Sequence, residues 1–179
     1  MSMYLIRHGK TAANEQRLYC GSTDLPLSED GAAELRQLHY SIHPAYFVTS
    51  GMKRTRETLE ILFGDVPYAV DPRFREVDFG DFEMKSYCQL QDNPAYQAWI
   101  SGDNAANVPP NGESGVQMTR RVLEAFRELP DGTALIAHGG VIAAIMGSLF
   151  PEEGKHRYQW QPENGCGYEI SGTTYRSIP

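Results

Sequence analysis

Cysteine is scarce in this 179-residue chain, and its three copies, Cys20, Cys88 and Cys166, stand far apart. An odd count at such spacings gives neither a disulfide framework nor a zinc-ligand pattern, and it suits free thiols in a reducing cytoplasm. No block of Lys or Arg occurs, and the net charge is −7. That argues against a nucleic acid or an anionic membrane surface as the main partner. A few Arg gathered locally could still hold a small anion. No apolar stretch nears the ~20 residues of a membrane span. The N-terminus lacks a basic segment followed by an apolar core and a cleavage site, so the expectation is a cytoplasmic protein. Repeats, low-complexity segments and linker-like stretches are also missing. Residues 1–179 therefore read as one domain with a sizeable core.

What is present is an ordinary apolar share of 41% and an alternation of strand and helix signals. Strands are expected at 3–7 (MYLIR), 45–50 (AYFVTS), 68–70 (YAV) and 133–137 (TALIA). Helices are expected at 27–40 behind Ser28 as N-cap, at 51–64 with Gly64 as the stop, and at 141–150. Another follows from the stripe Met118, Val122, Ala125, Phe126 and Leu129. Residues 87–100 have helical character interrupted by Pro94, and 102–112 read as a polar loop. A hairpin about Gly172 ends the chain. This order is that of an α/β three-layer sandwich with a mostly parallel central sheet.

In such a sheet, ligands bind beyond the carboxyl ends of the strands. Two strands end alike there, YLIRHG at 4–9 and ALIAHGG at 134–140, each delivering a His followed by Gly. Glycine lets the backbone turn sharply or approach a ligand closely. Arg7 adjoins His8, and Arg54 falls in the first turn of a helix, where free N–H groups already favour anions. A guanidinium added there offers a planar fork for phosphate or carboxylate. Successive strand residues point to opposite faces. Arg7 and His8 can serve one ligand only if the strand stops near Arg7. Glu76, taken by itself, reads as a surface carboxylate paired with Arg73 or Arg75.

The stretch IRHGKTAAN resembles the Arg-His-Gly signature of the histidine phosphatase superfamily, the phosphoglycerate mutase-like family. Similar blocks follow in that family's order: YCGSTDLPLSEDG (19–31), TSGMKRTRETL (49–59), FREVDFGDFE (74–83), PPNGES (109–114) and AHGGVI (137–142). Segment 19–31 and the short chain are most similar to the alpha-ribazole phosphatase subgroup, which belongs to cobalamin biosynthesis, and broad-specificity small-molecule phosphatases resemble these blocks almost as well. The resemblance implies a phosphoglycerate mutase-like fold and phosphatase chemistry through a phosphohistidine, without a cofactor. His8 would be the nucleophile. Arg7, Arg54 and His138 would surround the phosphoryl oxygens. Glu76 would protonate the leaving oxygen and then activate water. Asn14 and the N–H of Gly139 would add donors, with Thr11 and Gly21 also at the phosphate or substrate.

The implied partner is a small-molecule phosphomonoester, handled by a monomer or a homodimer. No metal is called for. His8 and His138 have no carboxylate or Cys at ligand spacing, and the Arg residues would repel a cation. One departure stands out: Glu83 is followed by Met84 and Lys85, where many family members carry Glu-Gly. Residues 81–112 are read as a cap over the site, with Tyr87, Tyr96 and Trp99 either lining the leaving-group pocket or packing as core. The competing readings are a cofactor-dependent mutase and a phospho-ligand binding module without catalysis. Only 83 residues separate Arg54 from His138, fewer than the longer cofactor-dependent mutases carry there. That favours the phosphatase.

Overall fold

The computed structural model describes residues 2–102 and 104–179; Asp103, in the expected 102–112 loop, lies outside the described residues. Strands β1 (Ser2–Arg7), β2 (Tyr46–Thr49), β3 (Ala69–Val70), β4 (Thr133–Ala137), β5 (Gly167–Ser171) and β6 (Thr174–Ile178) form one sheet. Its order is β3-β2-β4-β1-β5-β6. The first four in that order run parallel, and the terminal hairpin adds two antiparallel strands at one edge. Helices are α1 (Ala12–Glu15), α2 (Glu29–Leu35), α3 (Lys53–Phe63), α4 (Tyr87–Leu90), α5 (Pro94–Ile100), α6 (Gly115–Arg127) and α7 (Gly139–Leu149).

The central pair explains the layering. In β1 and β4, covered on both faces, apolar residues run without interruption, as a parallel sheet requires. Leu5, Leu135 and Ala137 pack on one side with Met118, Val122 and Ala125 of α6 and the apolar face of α7. Tyr4, Ile6, Ala134 and Ile136 pack on the other with Leu59 of α3 and Ile42. The period of two thus assigns Leu5 and Arg7 to the α7 side and Ile6 to the α3 side.

Local chemistry sets the helix bounds. Ser28 caps α2 through Gly31 N–H, as expected, but α2 ends at Leu35 and leaves 37–40 outside it. Capping boxes open α1 at Thr11, α4 at Ser86 and α6 at Ser114. The 87–100 stretch splits in two, and the break is where Pro94 predicts it. Asn93 caps α5 with Pro94 in its first turn, where a missing N–H costs nothing. Gly64 stops α3 at a φ of 76°. Helix α1 has no counterpart among the expected elements.

Candidate active site

β1 ends at Arg7, so the chain leaves the sheet at the point the steric argument demands. His8 and Gly9 then turn under α3, where the Gly9 N–H donates to Thr58 Oγ1 at 2.9 Å. The position is tight: a Cβ on Gly9 would meet Leu35 Cδ1 at 2.7 Å, so the leucine side chain would have to shift. β4 likewise ends at Ala137 and passes to His138, the N-cap of α7. The rings of His8 and His138 meet edge to face, with centroids 5.2 Å apart.

The hydrogen bonds fix both tautomers. His8 Nδ1 lies 2.7 Å from the Gly9 carbonyl. A carbonyl only accepts, so Nδ1 carries the proton and Nε2 keeps a free lone pair. His138 Nδ1 accepts from Arg54 Nε at 3.3 Å, which places its proton on Nε2, 2.9 Å from Ser50 Oγ. The chain continues from Ser50 to Thr55 Oγ1 at 3.2 Å and from Thr55 to the Met52 carbonyl at 2.8 Å. Burial holds both imidazoles well below the usual histidine range. The Arg54 cation lowers both further, and the Gly9 carbonyl opposes this at His8. Both rings are therefore neutral bases at pH 7.

Two arginines lie in this centre. Arg54, 1% exposed, donates to the Thr23 carbonyl at 2.9 Å and the Gly21 carbonyl at 2.8 Å. Arg7 donates from Nη1 to the Pro162 carbonyl at 2.8 Å. Its Nε is the one buried side-chain nitrogen or oxygen without a partner among the described residues. Burial lowers the Arg7 pKa, while the Glu76 and Glu163 carboxylates pull it back up. A buried guanidinium N–H without a partner is a donor of the kind that anions accept from.

Glu76 is not held by Arg73 or Arg75. Arg73 pairs with Asp71 and Glu128 instead. The Glu76 carboxylate accepts from Gly140 N–H at 2.9 Å and Val77 N–H at 3.0 Å. Arg7, Asn14, Glu76 and Gly140 line one cavity of about 600 Å³, together with Tyr19, Cys20, Phe79, Trp99, Glu113, Arg157 and Gln161. His8, Arg54 and His138 do not line that cavity. They sit deeper, 6%, 1% and 0% exposed.

The remaining candidates divide. Asn14 Oδ1 accepts from Thr11 N–H and Oγ1, which leaves its NH2 facing the cavity side as a donor. Thr11 uses its hydroxyl to cap α1, so its place here is that of a cap. Gly21 offers no free amide. Its N–H donates to Glu83 at 2.9 Å, and its carbonyl holds Arg54. Gly139 is the first residue of α7, where helical amides lack a partner within the helix. Of the three aromatics, only Trp99 lines the cavity. Tyr96 is buried with Phe82 and Leu90, and Tyr87 is exposed. Tyr96 and Trp99 stand three residues apart on α5 (Pro94–Ile100) and share Tyr19 and Phe82 as neighbours, so one aromatic cluster is packing at Tyr96 and cavity wall at Trp99.

Sequence reasoning missed Ser50, Glu83 and Gly140. Glu83 accepts from Gly21, Ser22, Thr23 and Phe79 N–H groups and from Thr23 Oγ1. It thereby shapes the loop whose carbonyls grip Arg54. All three lie within the family-like blocks, Ser50 in TSGMKRTRETL, Glu83 at the end of FREVDFGDFE and Gly140 in AHGGVI, but residue type alone gave none of them a role.

Two neutral histidines in contact with each other and with Arg54, and a cavity lined by Arg7 and Glu76, make an arrangement suited to an anionic ligand. Residues 3–177 match the histidine phosphatase superfamily (branch 1), and the chain belongs to that family. The adenosylcobalamin/alpha-ribazole phosphatase of Salmonella typhimurium is 32% identical, over 93% of this chain and 88% of its own. The probable phosphoglycerate mutase GpmB of Yersinia pestis is 30% identical, over 83% of this chain and 74% of its own. A solved Escherichia coli structure of a candidate alpha-ribazole-5'-P phosphatase superposes with a TM-score of 0.86 at 26% identity, covering 99% of this chain and 95% of that one. The protein is thus a phosphatase with a phosphoglycerate mutase-like α/β fold. Among the described residues, no helix is long and apolar enough to cross a membrane.

Proposed function

We propose that the chain hydrolyses a small phosphomonoester in two steps through a phosphohistidine at His8. The observation that carries this reading is the Nδ1–Gly9 carbonyl bond, which leaves Nε2 of a neutral, buried imidazole as the attacking atom. Arg7, with its unpaired Nε, and Arg54 take the equatorial oxygens, joined by the Gly139 N–H and the Asn14 amide. Arg54 and His138 satisfy one another without ligand. An arriving dianion separates them by taking the Arg54 Nε–H, and a proton taken up from solvent onto His138 Nδ1 beside the anion makes the imidazolium a further donor. Glu76 gives a proton to the leaving oxygen and, after the alcohol departs, removes one from water. Each of these steps is drawn without a metal.

The leaving-group side is the aromatic cavity, with Trp99, Tyr19 and Phe79 as its apolar walls. Residues 81–112 serve as its cap. An alcohol with a flat heteroaromatic portion suits those walls, and the relatives' names make alpha-ribazole 5'-phosphate the first substrate to try in a cytoplasmic cobalamin pathway. The test is a panel of phosphomonoesters ranked by kcat/KM, including alpha-ribazole 5'-phosphate and 3-phosphoglycerate. Free phosphate released without a bisphosphoglycerate primer, with alpha-ribazole 5'-phosphate at the top, is the expected result. Primer-dependent isomerisation of 3-phosphoglycerate would replace the phosphatase reading by the mutase one.

A further inference from the structure

Glu76 stands on chain without regular secondary structure. Residues 76–79 belong to no helix or strand. A general acid needs its position held closely, so something must fix this loop. The side-chain end is held by the amides of Gly140 and Val77. The backbone end is held from α6. Arg121 Nη1 donates to the carbonyls of Arg73 and Arg75, both at 2.7 Å, and Nη2 donates to the Glu76 carbonyl at 3.1 Å. Its Nε and Nη2 also form a two-pronged pair with Glu113 at 2.8 and 2.7 Å. All five N–H groups of the guanidinium are thereby used. Glu113 N–H donates to the Asp78 carbonyl at 2.9 Å, so the same pair grips the loop on both sides of the acid.

We propose that Arg121, anchored by Glu113, is a positioning residue for the acid–base carboxylate of Glu76. The inference rests on the reading of Glu76 as that acid. Arg121 touches no substrate. It converts the register of α6 into the register of the loop, and α6 is itself packed on α7 within the core that carries Gly140. Both ends of the Glu76 residue are therefore referenced to one rigid pair of helices. A lysine at 121 keeps the charge opposite Glu113 but cannot span three carbonyls, because an ammonium lacks the planar fork.

The test is Arg121→Lys, made in the natural chain and in a Glu76→Gln chain, assayed on p-nitrophenyl phosphate and on glycerol 2-phosphate. The nitrophenolate leaves with little protonation, whereas the glycerol alkoxide needs the acid. In the natural chain, Arg121→Lys should lower kcat/KM on glycerol 2-phosphate by about 10- to 100-fold, and on the nitrophenyl ester by less than about threefold. In the Glu76→Gln chain it should cost nothing further on either substrate, because no acid is left to misplace. Equal losses on both substrates, or the same loss in both chains, would reduce Arg121 to a fold-holding residue and overturn the proposal. If Glu76→Gln alone fell equally on both substrates, the acid reading itself would fail, and this proposal with it. Glu113→Gln, which weakens the anchor while leaving Arg121 in place, is the second variant and is judged by the same comparison.

Discussion

Gly140→Ala should make the protein more stable and less active at once. Gly140 is the second residue of α7, and its φ is not in the left-handed region, so alanine fits the backbone. Replacing a helical glycine by alanine contributes at most about 1 kcal/mol of stability. For a chain of this length that is a rise in Tm of about 2–4 °C. The new methyl group has a different effect on the site. A Cβ there would lie 2.4 Å from Glu76 Oε1, 3.1 Å from its Cδ and 3.2 Å from Oε2. Ordinary contact begins at 3.4 Å, so the nearest oxygen must retreat by about 1 Å (3.4 less 2.4). A carboxylate at the end of a flexible side chain can make that retreat, so the fold survives it. A 1 Å misplacement of a reacting group costs about 100-fold in rate, or about 2.7 kcal/mol of transition-state stabilisation. The loss should appear on alkyl phosphates and be small on p-nitrophenyl phosphate. The assay is kcat/KM on both substrates beside a thermal melt. Full activity on alkyl phosphates in a well-folded Gly140→Ala variant would refute the assignment of Glu76 and its contact with α7.

Three further outcomes follow from the same geometry. Glu83→Gln removes acceptors from a carboxylate that five donors share, so the loop carrying the Gly21 and Thr23 carbonyls should loosen around Arg54. Inhibition by inorganic phosphate should weaken about tenfold, and an unchanged inhibition constant would show that Arg54 is held otherwise. Stability without ligand should fall with acid. His8 and His138 are held well below 6.5 in the fold, so the unfolded chain takes up protons near pH 6.5 that the folded chain refuses. The stabilisation is fully present above that pH and declines below it by up to about 1.4 kcal/mol per pH unit for each ring. Urea unfolding between about pH 7.5 and 5.5 measures this, and a slope unaltered by His8→Gln would contradict the neutral His8. Trp99→Ala should lower kcat/KM for phosphates with large aromatic leaving groups by roughly tenfold relative to acetyl phosphate. A parallel fall on both, with a lowered Tm, would make Trp99 a core residue only.

The histidine side of the candidate site was legible because its parts sit at the ends of strands that announce themselves. YLIRHG and ALIAHGG pair an apolar run with a reactive residue, and β1 and β4 are neighbours in register from Tyr4 with Ala134 to Arg7 with Ala137. Parallel pairing of equal runs brings His8 and His138 together without further information. Helix α3 was legible for the same reason: its apolar residues and its Gly64 stop are local signals, and Arg54 rides on its first turn. Two kinds of feature were not legible. One is the end of α2 at Leu35, where the apolar spacing continues through Leu38 but the backbone leaves the helix. The other is the web of polar bonds that fixes the site from a distance. Glu83 meets Gly21 across 62 residues, and Arg121 meets Glu76 across 45. A carboxylate or guanidinium gives no sign in sequence of which distant amides or carbonyls it will satisfy. For the aromatics of 87–99 the sequence left cavity wall and core both open, and each holds for one residue, Trp99 and Tyr96, through packing that has no local signal.

The measurement that tests the account most directly is rapid acid-free quench of the enzyme with a phosphomonoester, followed by intact-mass and peptide mapping. The account predicts one phosphoryl group per chain, acid-labile and alkali-stable, on His8. It should accumulate in Glu76→Gln with p-nitrophenyl phosphate, because the base that activates water is gone while the leaving group needs no acid. No label on any residue during turnover, or a label that persists at full occupancy in an active His8→Ala variant, would contradict the phosphohistidine and the site built around it.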